Sequence, residues 1–177
     1  MPKTVKLKRD VNAIQIPFGT PTLLPKNTEV TITHSLGGSH TVTVDGTMYR
    51  IDNRDADALD EASLTFVPTE NVDSSLENKI WMLLRTCYDP EIPVNIVDLG
   101  LIYGVNVTEA TEDKFDIKVR MTLTAPGCGM GPVIVEDAKQ KILNVPEVNT
   151  VEIEIVFDPP WDRSMMSEQA KLELGLL

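Results

Sequence analysis

Phe115-Asp116-Ile117-Lys118-Val119-Arg120-Met121-Thr122-Leu123-Thr124 is the stretch that decides the fold. Phe115, Ile117, Val119, Met121 and Leu123 alternate with polar side chains. This period of two gives a strand one dry face and one wet face. A dry sheet face needs helices laid over it. Two other alternating stretches flank this one. Leu101-Ile102-Tyr103-Gly104-Val105-Asn106-Val107 precedes it, with odd-numbered positions apolar, and the polar run Glu109 to Lys114 reads as the turn between them. Val151, Ile153, Ile155 and Phe157 follow, alternating with Glu152 and Glu154, until Pro159-Pro160 stops the strand.

Helical periods lie between and around these strands. Ser74-Ser75-Leu76-Glu77 has capping-box spacing, with Ser74 read as the N-cap. Leu76, Ile80, Leu83, Leu84 and Cys87 then fall on one helical face. The helix must stop near Tyr88, because Asp89 precedes a proline. Gly129-Met130-Gly131-Pro132 opens a second helix, with Pro132 expected at its first position. Ile134, Ala138 and Ile142 form its core face, and Asp137 and Lys141 pair one turn apart. A last helix is expected from about Met165 to Leu174, closed by Gly175. The order is α-β-β-α-β-α, an α+β domain with a small three-stranded mixed sheet covered by helices.

The first 70 residues read differently. Glu29 to His34 and His40 to Asp45 alternate with β-branched residues, joined through Ser35-Leu36-Gly37-Gly38-Ser39. Asp45-Gly46 is a strong turn pair leading into Met48 to Ile51. Pro17 to Pro21 and Leu24 to Asn27 read as turns, and Asp55 to Leu59 as a short helical or turn segment. This is a small, mostly β N-terminal module. The division expected is therefore residues 1–70 for the module and 74–177 for the α+β domain, joined by the polar stretch Pro68 to Asp73.

Composition narrows the function. The chain has 177 residues and a formal net charge of −11. Residues 75–177 carry 9 basic and 17 acidic side chains, against 7 and 10 in residues 1–74. Such a balance argues against a nucleic-acid partner, which needs clustered Lys and Arg. No apolar run is long enough to span a membrane. The basic opening Met1 to Arg9 lacks the apolar stretch of a secretory signal. A cytoplasmic, reducing compartment with both thiols free is the expectation. Two cysteines, Cys87 and Cys128, cannot build a disulfide framework or a four-cysteine metal site within one chain.

Cys128 is the residue with chemistry to offer. It lies in Thr124-Ala125-Pro126-Gly127-Cys128-Gly129-Met130-Gly131-Pro132, between a strand and a helix. Glycines bring backbone amides close, and a helix N-terminus adds about half a positive charge; both favour thiolate. Thiolate ligates soft metals and iron–sulfur clusters, or attacks an electrophile. The bland alternative, a small buried cysteine in a tight turn, fits the flanking glycines less well. Cys87 sits at the C-terminal end of a helix, where thiolate is disfavoured, so packing is its expected role. The loop Asp89-Pro90-Glu91-Ile92-Pro93-Val94-Asn95-Ile96-Val97-Asp98-Leu99-Gly100 holds two backbone-fixing prolines and three carboxylates between a helix and a strand. It reads equally as a docking or metal-orienting loop and as a rigid connector in which Asp98 caps a turn. His34 and His40 flank the glycine turn and would meet across the hairpin as a metal pair, although strand-surface histidines are the commoner reading. No nucleotide loop, catalytic triad pattern or HExxH motif occurs.

Three ordered motifs carry a resemblance. Asp89 to Tyr103, Met121-Thr122-Leu123-Thr124-Ala125-Pro126-Gly127-Cys128, and Phe157-Asp158-Pro159-Pro160-Trp161 together resemble the metal–sulfur cluster biosynthesis family, which includes PaaD-like proteins. The likeness spans about residues 74–177. The N-terminal module and the tail Met165-Met166-Ser167-Glu168-Gln169-Ala170 look like its SufT branch. The resemblance implies a non-enzymatic factor that helps transfer or insert iron–sulfur clusters into client proteins. It places the family's reactive cysteine on Cys128 and the acidic-proline motif on Asp89, Pro90 and Glu91, with Asp98 following. It implies a transient iron–sulfur cluster or iron as cargo, none of it held stably. The implied partners are the assembly scaffold and client apoproteins. One reactive cysteine per chain cannot supply four thiolates, so a homodimer, a partner or free thiols must complete any cluster. A pure adaptor that never touches the cluster is the competing reading, and a thiol-dependent enzyme a third.

Overall fold

The computed structural model describes residues 2–61, 75–89, 92–125 and 129–176. The chain divides into two compact units: Met1–Thr65 with Pro90–Pro93, and Phe66–Asp89 with Val94–Leu177.

The N-terminal unit is a six-stranded sheet: β1 (Lys3–Lys6), β2 (Val11–Ile16), β3 (Thr20–Leu24), β4 (Glu29–Leu36), β5 (Ser39–Val44) and β6 (Thr47–Ile51). The order across it is β1-β4-β5-β6-β2-β3, with every pairing antiparallel. Gly37 and Gly38 have φ of 61° and 85°, and Asp45 and Gly46 of 48° and 82°. Two consecutive left-handed residues are what a tight hairpin between right-twisted strands demands. The first three strands go beyond the sequence reading. Thr20, Pro21 and Leu24, expected within turns, belong to the edge strand Thr20–Leu24, the place where a missing amide donor is tolerated. A 3-10 helix (Asn53–Leu59) follows, capped by the Asp52 side chain on the Arg54 amide. Leu7, Val11, Val30, Val42, Ile51, Ala58 and Leu59 are among the side chains that form its core. Arg9 forks onto Asp55 and Asp57 at 2.7–3.0 Å, clipping the 3-10 helix to the sheet.

The second unit holds α1 (Leu76–Leu84), β7 (Ile102–Thr111), β8 (Lys114–Met121), α2 (Gly131–Leu143), β9 (Val148–Ile155) and α3 (Glu168–Glu173). β7 and β8 are antiparallel and β8 and β9 parallel, in the order β7-β8-β9. This is the mixed three-stranded sheet that the alternation predicted. Leu76, Ile80, Leu83, Leu84 and Cys87 are all buried, as are Ile134, Ala138 and Ile142 of α2. Each fully buried aliphatic side chain contributes roughly 1.5–3 kcal/mol. Lys141 reaches Asp137 at 3.3 Å and donates to the Thr86 carbonyl at 2.8 Å, tying α2 to the end of α1.

Several boundaries differ from the expected ones. Ser75 caps α1, accepting from the Asn78 amide at 3.2 Å, while Ser74 lies outside the described residues. β7 runs on to Thr111, so only Glu112 and Asp113 turn; a strand end exposed on both faces needs no apolar alternation. Met130 is the N-cap of α2, which puts Pro132 at the second helical position, still within the turn that needs no proline donor. The expected last helix is two pieces, a 3-10 turn (Arg163–Met165) and then α3. Ser167 interrupts it in extended geometry, its hydroxyl accepting from the Ala170 amide at 3.1 Å.

Candidate functional site: three loops at one end of the small sheet

The strand directions place the three sequence motifs together. β7 starts, β8 ends and β9 ends on one rung, where Ile102 pairs with Met121 and Met121 with Ile155. Two hydrogen bonds extend that rung by a residue: Thr122 donates to the Leu101 carbonyl, and Val156 to that of Met121, both at 2.8 Å. Beyond it lie the acidic loop, the start of the cysteine loop and the Phe157–Trp161 stretch. α2 begins at the same end. An antiparallel pair followed by a parallel one cannot arrange these termini otherwise.

The acidic loop is built around Asn95. Its side-chain oxygen accepts from the amides of Val97 and Asp98 at 3.0 and 2.9 Å, an Asx turn. Its amide group donates to the Asp98 carboxylate at 2.6 Å, and Arg85 approaches the same carboxylate at 3.7 Å. The loop is closed at its base by the Tyr88–Asn95 bridge and by Ile96 donating to the Cys87 carbonyl at 2.9 Å. Asp89 is buried, at 7% exposure, which is unusual for a carboxylate. Burial, then Glu173 and Asp98, raise the Tyr88 pKa above its ordinary value. The cap of this turn is Asn95 and not Asp98 as expected: Asp98 gives its amide to the Asx turn, and its carboxylate accepts from the Asn95 amide group.

Of the other expected site residues, Thr124 and Gly129 are half-buried at the two ends of the cysteine loop. Pro90, Glu91, Pro126, Gly127 and Cys128 lie outside the described residues. Cys87 is fully buried, its thiol donating to the Leu83 carbonyl at 3.6 Å, the packing role expected of it. The histidines do not form the hairpin pair. A bulge in β4 sets His34 against Thr41 and His40 against Ser35, so the two point to opposite faces. His40 is buried; its Nδ1 lies 2.7 Å from the Ser35 hydroxyl, and burial lowers its pKa. Among the described residues no three His, Cys, Asp or Glu side chains are grouped as metal ligands would be. No helix of the described residues is long and apolar enough to cross a membrane.

Sequence reasoning passed over how the third motif works. The Trp161 indole donates to the Leu99 carbonyl at 2.7 Å, and the Tyr103 hydroxyl to the Pro159 carbonyl at 2.6 Å. A half-buried indole N–H needs an acceptor, but nothing in the sequence names Leu99 as the partner.

The architecture is thus a helix-covered three-stranded sheet that carries an acidic loop and a cysteine loop at one end. The family model described as iron-sulfur cluster assembly protein matches residues 77–155. A Porphyromonas gingivalis protein named Fe-S protein maturation auxiliary factor is 52% identical over 101 residues, 57% of this chain and 92% of its own length. Fe-S protein maturation auxiliary factor SufT of Staphylococcus aureus is 46% identical over 88 residues, 50% of this chain and 96% of its own. The crystal structure of a domain of unknown function, DUF59, from Bacillus anthracis superposes with a TM-score of 0.51 at 43% identity, covering 58% of this chain and 93% of that one. The chain belongs to the iron–sulfur cluster assembly protein family.

Proposed function

We propose that this protein serves the maturation of iron–sulfur proteins, with residues 74–177 as the working domain and residues 1–70 as a separate accessory module. The convergence of the acidic loop, the cysteine loop and the Phe157–Trp161 stretch at one sheet end carries the reading. The names of the relatives, maturation auxiliary factors, support it. Within that role Cys128 is the transient ligand of an iron–sulfur cluster or iron ion, which is cargo and not a resident cofactor. The motif residues Asp89, Pro90, Glu91 and Asp98 serve the same role, together with Thr124, Pro126, Gly127 and Gly129 of the cysteine motif. Cys87 is buried, so one chain offers one usable thiolate; a four-thiolate cluster must be completed by a second copy, the assembly scaffold or the client. Under-coordination suits a carrier, because cargo held by few ligands is readily passed on. The protein acts in the cytoplasm, as a homodimer, without turning over a substrate.

Anaerobic reconstitution with iron and sulfide tests this. Wild type should gain visible absorbance in proportion to protein, and Cys128→Ser should lose it while keeping its thermal midpoint. Equal absorbance from the variant would remove Cys128 from the role. Absence of absorbance and iron from both would leave the adaptor reading, in which the protein joins scaffold to client and holds no cluster.

A further inference from the structure

We propose that residues 159–167, beyond the stretch that the family model matches, form a strap that sets the path of the acidic loop, with Trp161 and Tyr103 as its positioning residues. Five contacts carry this. Trp161 Nε1 donates to the Leu99 carbonyl at 2.7 Å. The Ser167 amide donates to the Asp98 carbonyl at 2.8 Å. Tyr103 Oη donates to the Pro159 carbonyl at 2.6 Å and lies 3.6 Å from the Met165 sulfur. Gly100, at φ +79°, is pressed so close to the strap that a Cβ there would stand 2.3 Å from the Met165 carbonyl oxygen.

The contacts of Ser167, Trp161 and Met165 strike three consecutive positions, Asp98, Leu99 and Gly100, and two of them end on backbone carbonyls of the loop. They therefore fix where the loop runs whatever side chains it carries. Asn95 orders the same turn from within through the amides of Val97 and Asp98. The strap adds the hold from outside, and through Leu101 and Thr122 the held turn is bonded to the strand that leads into the cysteine loop. Ser167 has two duties, its amide on Asp98 and its hydroxyl capping α3, so the strap ends on a helix instead of a free tail. Leu99 donates to Asn95, Gly100 to Val97 and Leu101 to Ile96, at 3.0 Å each, and these three amides report whether the turn is held.

The strap's effect on cargo rests on the maturation reading; its grip on the loop does not. The test uses the full chain with Trp161→Phe, which keeps an aromatic side chain and removes the indole N–H, and Tyr103→Phe, which acts at the other tie. Hydrogen exchange at Leu99, Gly100 and Leu101 should accelerate at least tenfold in each, while Ile117 and Val119 in β8 exchange as in wild type. Cluster transfer from the anaerobically reconstituted protein to a cluster-free ferredoxin should slow several-fold. Unchanged exchange at the three loop amides overturns the strap, and so does equal acceleration in β8, which would mean general destabilisation. A loosened loop with undiminished transfer overturns the positioning role. Wild type that transfers no cluster counts against the maturation reading instead, and the exchange data still decide the grip.

Discussion

The two units use β-structure in opposite ways. In the N-terminal unit, β4, β5 and β6 are joined by the shortest connections a hairpin allows, Gly37-Gly38 and Asp45-Gly46. Nothing is left over in those turns to carry chemistry. In the second unit the small sheet sends long connections out of one end, from α1 into β7, from β8 into α2, and past β9 to α3. The described motif residues sit there. A rigid scaffold with its irregular segments gathered at one end is a general way to assemble a site from residues far apart in sequence. The first unit invests its sequence in closure, the second in presentation.

The largest effect should come from the presented loop. Cys128→Ser is expected to abolish reconstituted absorbance, whereas Cys87→Ser should keep it and lower stability by about 1–3 kcal/mol, the cost of a hydroxyl among apolar groups. The reverse pattern would break the contrast. Next in size are the cores. Ile51→Ala in the first unit and Ile117→Ala in the second should each cost about 2–5 kcal/mol by urea denaturation, since both are buried.

A pair of glycines sharpens the comparison. Gly46 and Gly100 share a left-handed backbone, but a Cβ on Gly46 meets nothing within 4 Å, and one on Gly100 runs into the Met165 backbone. Gly46→Ala should cost about 1–2 kcal/mol, the ordinary left-handed penalty, and Gly100→Ala clearly more. Equal losses would mean that the strap yields freely. The smallest effect belongs to His40. Burial, joined by Arg50 and opposed by Glu61, holds its pKa below the usual value. The unfolded chain then binds the proton first, so stability should be full at neutral pH and decline as pH falls below about 6.5 towards the folded value. Urea melts at pH 7.5 and 5.5 should show that decline, and His40→Gln should flatten it.

Much of this was legible beforehand because local rules produce it. The strand from Phe115 to Met121, the buried face of α1 and the Gly37-Gly38 turn follow from periodicity and backbone sterics, which operate within a few residues. The misreadings have local causes too. The turn expected from Pro17 to Pro21 gives way to strand at Thr20, because Pro21 lies at a sheet edge, and Ser74 and Ser75 offer the same cap one residue apart. The histidine pair failed because a single-residue bulge changes which face a side chain takes, and no composition signals it.

The sequence by itself determined the α+β class, the helix faces and the residues with chemistry to offer, since residue type and spacing are properties of the chain. Tertiary structure alone decided that the acidic loop, the cysteine loop and the Trp161 stretch leave the sheet at one end, and that the strap grips Asp98 to Gly100. Those facts depend on strand direction and on contacts between residues some 60 positions apart, such as Trp161 with Leu99. Pairing across that distance is settled by the closure of the whole core, and no local pattern encodes it.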